Sequence, residues 1–237
     1  VSFRFAAVLL LLGLHGCTTY EYEHEFWLRV DGSGRVSVTG RPALWAAFKN
    51  LAHVEQADPA SLREAARLLF EASGLEVRRV TLTHRGGQAY LSVSADFRDI
   101  NKIWGTPAFP DLQATLAKDG ERLRLKGSWN RPLESPDVGA ADREGIAAVR
   151  FHLPSKVYEH TNASLGVERG NIVSWRQETR LALDRRPVEF GAVMDSRSIL
   201  WSTVTLFAGA TAAGLAILAT LLYLVFRKGR KAAAAAP

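Results

Sequence analysis

The chain has 237 residues, 30 Lys and Arg against 24 Asp and Glu, a net charge of +6, and 47% hydrophobic residues. Mixed charge on that much apolar content excludes a wholly disordered chain. The basic excess is too small and too dispersed for a nucleic-acid footprint. One cysteine excludes an internal disulfide.

At the N-terminus, Arg4 precedes an apolar run from Phe5 to Leu14. The run is too short to cross about 30 Å of hydrocarbon as a helix, but it suits the apolar region of a signal peptide. Leu14-His15-Gly16-Cys17 follows and resembles the lipobox of bacterial lipoproteins, although His15 departs from the small residue usual in its slot. The resemblance implies cleavage before Cys17 and acylation, palmitate included, of Cys17. The alternative for a lone thiol is burial as a small apolar side chain. The reading is a signal peptide over 1–16 and a lipidated tether over 17–24, followed by an exported domain over 25–195.

Within that domain, Glu25 to Thr39 alternates about Asp31-Gly32-Ser33-Gly34 and predicts a hairpin. Phe26, Leu28 and Val30 share one face. Arg41 to Ala52 predicts a helix entered at Pro42, and Asp58-Pro59 opens another that ends at Gly74. Ser61 and Glu64 offer an alternative capping box. Leu62, Ala65, Ala66, Leu69 and Phe70 make the second helix amphipathic. Leu75 to Thr83 alternates until Arg78-Arg79, where a bulge is expected. Ala89 to Phe97 pairs back across Gly86-Gly87. A short helix is expected over Phe97 to Trp104. Leu112 to Lys118 and Arg122 to Trp129 form a hairpin about Asp119-Gly120, with Arg122, Arg124 and Lys126 on a wet face. That row suits solvent or anionic lipid head groups. Residues 131–145 read as a loop. Ala147 to Leu153, Asn171 to Leu183 and Pro187 to Met194 read as strands.

At the C-terminus, Leu200 to Phe226 carries no charge and is long enough to span a bilayer. Trp201 and Tyr223 sit as interfacial aromatics do. Arg227-Lys228-Gly229-Arg230-Lys231 follows, so the positive-inside rule places a transmembrane helix over 199–226, a cytoplasmic tail over 227–237, and the main domain outside. Ala210 and Gly214, four apart, would let two such helices approach as a homodimer.

No catalytic motif emerges. There is no HExxH and no GxSxG, and His152 and His160 lie eight apart without a metal-ligand pattern. Catalytic residues, metal ligands and cofactors are therefore all expected to be none. Trp45, Phe48 and Trp104 are core by default, and they are the candidates for lining a ligand groove between the two helices and the sheet.

The lipobox Cys17, the Asp31-Gly32-Ser33-Gly34 turn, the Gly170-Asn171-Ile172-Val173-Ser174-Trp175 stretch and the C-terminal membrane helix together resemble the LppM-type group of bacterial lipoproteins. The resemblance implies an exported domain with helix packed on a curved antiparallel sheet, the binding of membrane lipids or glycolipids, and no catalytic residues. The two helices between Arg41 and Gly74 depart from that pattern. The expected architecture is α+β, a curved antiparallel sheet packed against two helices, plus the C-terminal transmembrane helix. The expected role is an envelope lipoprotein domain that binds lipid or an envelope component. An assembly partner of another membrane protein, or an envelope hydrolase, are the alternatives.

Overall fold

The computed structural model describes residues 20–51, 58–161, 163–164, 166–168 and 171–234. The expected signal peptide over 1–16, His15 within it, and Cys17 lie outside the described residues. Strands β1 (Tyr22–Leu28) and β2 (Gly34–Gly40) form the first hairpin. Its turn is set locally. Asp31 Oδ1 accepts from the Ser33 N–H at 2.9 Å and from the Ser33 hydroxyl at 2.7 Å, and Gly32 takes φ +82°, which glycine adopts without steric cost. Tyr22, His24, Phe26 and Leu28 face the core. β1 therefore starts inside the stretch expected as tether, while Val30 falls in the turn.

Helix α1 (Pro42–Lys49) starts on its proline and stops at Asn50 in the left-handed region. Helix α2 (Pro59–Glu71) is capped by Asp58, whose Oδ1 accepts from the N–H groups of Ala60 at 2.8 Å and Ser61 at 3.2 Å. The Ser61–Glu64 alternative gives way to it. Leu62, Ala66 and Phe70 form the buried stripe. Strands β3 (Glu76–Arg85) and β4 (Gln88–Phe97) pair with a register shift between Val77 and Arg79, where the doubled arginine predicts a bulge. The helix expected over Phe97 to Trp104 is a single 3-10 turn, Ile100–Lys102.

The chain continues through β5 (Leu112–Asp119), β6 (Arg122–Trp129), β7 (Ile146–His152), β8 (Val157–Thr161), β9 (Val167–Glu168) and β10 (Ile172–Glu178). It then forms helix α3 (Thr179–Leu183), β11 (Val188–Asp195) and helix α4 (Ile199–Ala234). The strand expected from Asn171 to Leu183 thus ends at Glu178. Beyond it Thr179, Ala182 and Leu183 are buried at spacings of three and one, which one face of a helical turn satisfies and a strand does not.

The α+β class holds, with the strands divided between two sheets. One is seven-stranded in the order β3-β4-β2-β1-β7-β10-β9, and the other four-stranded in the order β5-β6-β11-β8. Neither closes into a barrel. The larger sheet is mixed, because β1 pairs with β7 in parallel. Its inner face is covered in two halves. Helix α2 lies over β3 and β4, and α1 over β4. The smaller sheet lies over β7 and β10, where Phe190 stands 5.6 Å from both Phe151 and Trp175.

Two nearly buried arginines hold the long loop 131–145. Arg131 donates to Ser135 Oγ at 2.6 Å, Leu183 O at 2.9 Å, Pro136 O at 2.7 Å and Asp137 at 3.0 Å. Arg41 pairs with Glu21 at 3.1 Å and Asp142 at 3.2 Å. The fixed guanidinium fork makes several bonds for one ordering cost.

The exit points of the chain follow from register. β5 starts opposite Trp129, whose ring lies 6.1 Å from that of Tyr22. Further along, Leu116 exchanges hydrogen bonds with Asn101 at 3.0 and 2.8 Å, and Ile100 N–H donates to Gly32 O at 2.9 Å. β5 therefore runs in the direction of β1, toward the β1–β2 turn, and Asp195, paired with Arg122, lies beyond Leu116. Tyr20 and Asp195 stand at opposite ends of the strands.

Candidate functional site

The residues singled out from sequence are dispersed. Trp45 and Phe48 are fully buried. The Trp45 indole N–H donates to Leu91 O at 3.1 Å, and the Phe48 ring lies 4.6 Å from Tyr22 and 5.1 Å from Trp129. They fill the space where a groove between helices and sheet was expected. Trp104 is half-buried, 5.5 Å from Phe26, and borders an open cleft of about 490 Å³ that also meets Gln113, Thr115, Lys126, Ser128 and Glu189. Its indole nitrogen has no hydrogen-bond partner among the described residues. Arg122, Arg124 and Lys126 are exposed, as the alternation predicts. His152 is in β7 and His160 in β8, in different sheets. Among the described residues, no group of three His, Cys, Asp or Glu is placed to hold a metal ion.

Two ionisable clusters emerge that single spacings did not point to. The first is inside the core. Lys49 ends α1, Asp111 precedes β5 and His24 lies in β1, and all three are fully buried. Lys49 Nζ donates to Asp111 Oδ1 at 2.6 Å and lies 4.4 Å above the Phe109 ring. The Trp129 indole N–H donates to Asp111 Oδ2 at 3.0 Å, and His24 Nε2 lies 3.2 Å from the same oxygen. Burial lowers the Lys49 ammonium to about 8 and the His24 imidazole to about 4. Burial alone would raise the Asp111 carboxyl, but Lys49 and His24 outweigh it and hold the group below the ordinary carboxylate range. At neutral pH the cluster is an ammonium–carboxylate pair beside a neutral histidine. Its side chains are closed to solvent, and its charges are balanced within the core.

The second cluster is on the outer face of the larger sheet. Strand period two puts Glu23 and Glu25 of β1 on that face, where parallel pairing sets Glu25 beside Arg150 and Trp27 beside His152. Glu25 Oε1 takes a hydrogen bond from His152 Nε2 at 2.7 Å, and the His152 ring stacks on Trp27 at 4.9 Å. Arg150 Nη1 lies 3.4 Å from both Glu23 and Glu25. Burial raises the Glu23 carboxyl to about 7, outweighing the Arg150 guanidinium that pulls it down. Glu25 goes the other way: burial raises it, and the bonds from His152 and Arg150 more than reverse that. Two carboxylates two residues apart thus divide into one that holds its charge and one that exchanges its proton near neutrality. Side chains here remain 18 to 25% exposed, so the cluster meets solvent.

Comparison with known proteins gives one structural likeness. The chain is similar to the folded domain of the Mycobacterium tuberculosis LppM protein, at 14% identity over 74% of this chain and 89% of that one, with a TM-score of 0.39. No residue role passes from it to this chain. No family model and no curated protein matches.

Proposed function

We propose that this chain is an extracytoplasmic lipoprotein domain, carried on a membrane by its C-terminal helix, that binds lipid or another envelope component. One observation carries the reading. Thr203–Leu224, 22 residues within α4, is long and apolar enough to cross a membrane and is not buried against the domain. A core helix of a soluble protein would be covered; this one is left to a nonaqueous solvent, and about 33 Å of helix matches a bilayer core. The basic residues after it orient the domain outward. Acylation of Cys17 adds the second anchor.

The reading is tested on the full chain in a bacterial membrane. Protease added to intact spheroplasts should digest the domain and leave a tag after Pro237 protected. Labelled palmitate should enter the wild type and not Cys17→Ser. Protein purified from that membrane should carry lipid in native mass spectrometry beyond the acyl chains on Cys17. A tag cut from outside overturns the orientation, and absence of any associated lipid overturns lipid as the bound component.

A further inference from the structure

The end of the domain from which α4 departs carries an interaction surface of its own. Asp195 closes β11, and the link to α4 is tied on both sides. Ser196 N–H donates to Glu121 O at 2.9 Å on the β5–β6 turn, and Asp195 N–H donates to Lys156 O at 3.0 Å before β8. Asp195 Oδ1 also accepts the Arg197 N–H at 2.8 Å. The domain is therefore not swung on a loose linker at this point. Helix α4 begins at Ile199, and the uncharged stretch from Leu200 to Phe226 starts three residues after Arg197. The exit of the domain therefore lies within a few residues of the apolar span, a separation on the scale of a head-group layer.

Against this exit stands Tyr158, 45% exposed. Its hydroxyl donates to Asp195 Oδ2 at 3.1 Å. The guanidinium of Arg122 lies 4.8 Å from the ring centroid and the ammonium of Lys156 5.3 Å from it. Arg122 has Glu159 at 4.0 Å and Arg197 has Glu121 at 3.5 Å. Lys156 has no carboxylate partner among the described residues. An exposed tyrosine flanked by cations, one of them unneutralised, matches the chemistry of the membrane–water interface: an amphipathic ring at head-group depth with phosphates beside the cations.

We infer that this end of the domain rests in the head-group layer of the membrane that α4 crosses, with Tyr158 as its aromatic anchor and Lys156 and Arg122 facing lipid phosphates. The inference rests on the membrane reading above and adds which surface meets the lipid.

The test uses the full chain with Cys17→Ser, in nanodiscs of phosphatidylethanolamine and phosphatidylglycerol. A fluorophore is placed singly at Tyr158→Cys, at Leu133→Cys on the opposite end of β6, or at Leu215→Cys within the span. Quenching by a nitroxide on the lipid head group should be several-fold stronger at 158 than at 133. A label at Glu121→Cys, which leaves Tyr158 in place, should behave like 158. If 158 and 121 are quenched no more than 133 while an acyl-chain nitroxide quenches 215, the inference fails and the membrane anchor stands. If 215 escapes quenching by acyl-chain nitroxide, both fail.

Discussion

Asp111 accepts from Lys49 and Trp129 and faces His24 without access to water. Removing one charge of such a pair leaves the other buried and uncompensated, at a cost of about 3–5 kcal/mol. Asp111→Asn should therefore lower the urea midpoint sharply. The double variant Lys49→Met, Asp111→Asn removes both charges, keeps an acceptor for Trp129, and should recover most of the loss. If the double variant is no better than the single one, charge burial is not the cause. Glu23 gives a pH-dependent counterpart. Its carboxyl rises from 4.5 to about 7 on folding, chiefly through burial. Its contribution is fully present below pH 4.5 and is lost as pH climbs through 7, an upper bound of about 3 kcal/mol. Glu23→Gln should melt at the wild-type temperature near pH 4.5 and clearly above it at pH 8. Equal melting temperatures at pH 8 would remove Glu23 as a source of strain. Neither cluster was legible in the sequence. Lysine at a helix end reads as surface, and the partners come from separate elements that only the folded sheet brings together.

At the scale of elements, local chemistry was the readable part. Asp-Gly and Gly-Gly turns, period-two alternation and proline entries located the hairpins and both helices, and the doubled arginine located the bulge in β3. Pairing between distant strands was not readable. Nothing in β1 announces β7 as its parallel neighbour, nor in β6 its pairing with β11, because register across such separations is set by packing rather than by turns. The helix α2 cap is the local feature with the sharpest consequence. Asp58 satisfies two backbone donors that the helix leaves open. Asp58→Ala should cost about 1 kcal/mol, seen as a small drop in the denaturant midpoint with an unchanged slope. Asp58→Asn, which retains the acceptor, should cost less than Asp58→Ala. An alanine variant as stable as the wild type would mean that α2 is held by its buried stripe alone.

For the whole molecule, the distance between the two proposed anchors would decide how the domain sits. Tyr20 and Asp195 stand at opposite ends of the strands, and β1 alone, from Tyr22 to Leu28, extends about 20 Å. Cys17 lies three residues before Tyr20, a reach of at most about 11 Å. An acylated Cys17 in the same leaflet as α4 cannot coexist with a domain standing upright on Asp195. The Tyr20 end would then be too far from the lipid. On the proposed reading, acylation would lay the strands along the bilayer and bring both ends to the head groups, and the lipid would serve as an orienting device on a protein held in the membrane by α4. A fluorophore at Glu144→Cys, beside Gly145, which abuts Glu21 next to Tyr20, reads this directly. Head-group nitroxides should quench it in the acylated protein and lose most of that effect in Cys17→Ser, while a label at position 121 stays quenched in both. Equal quenching at 144 with and without the acyl chain would mean that the domain lies flat through contacts of its own surface, and that Cys17 does not set its orientation.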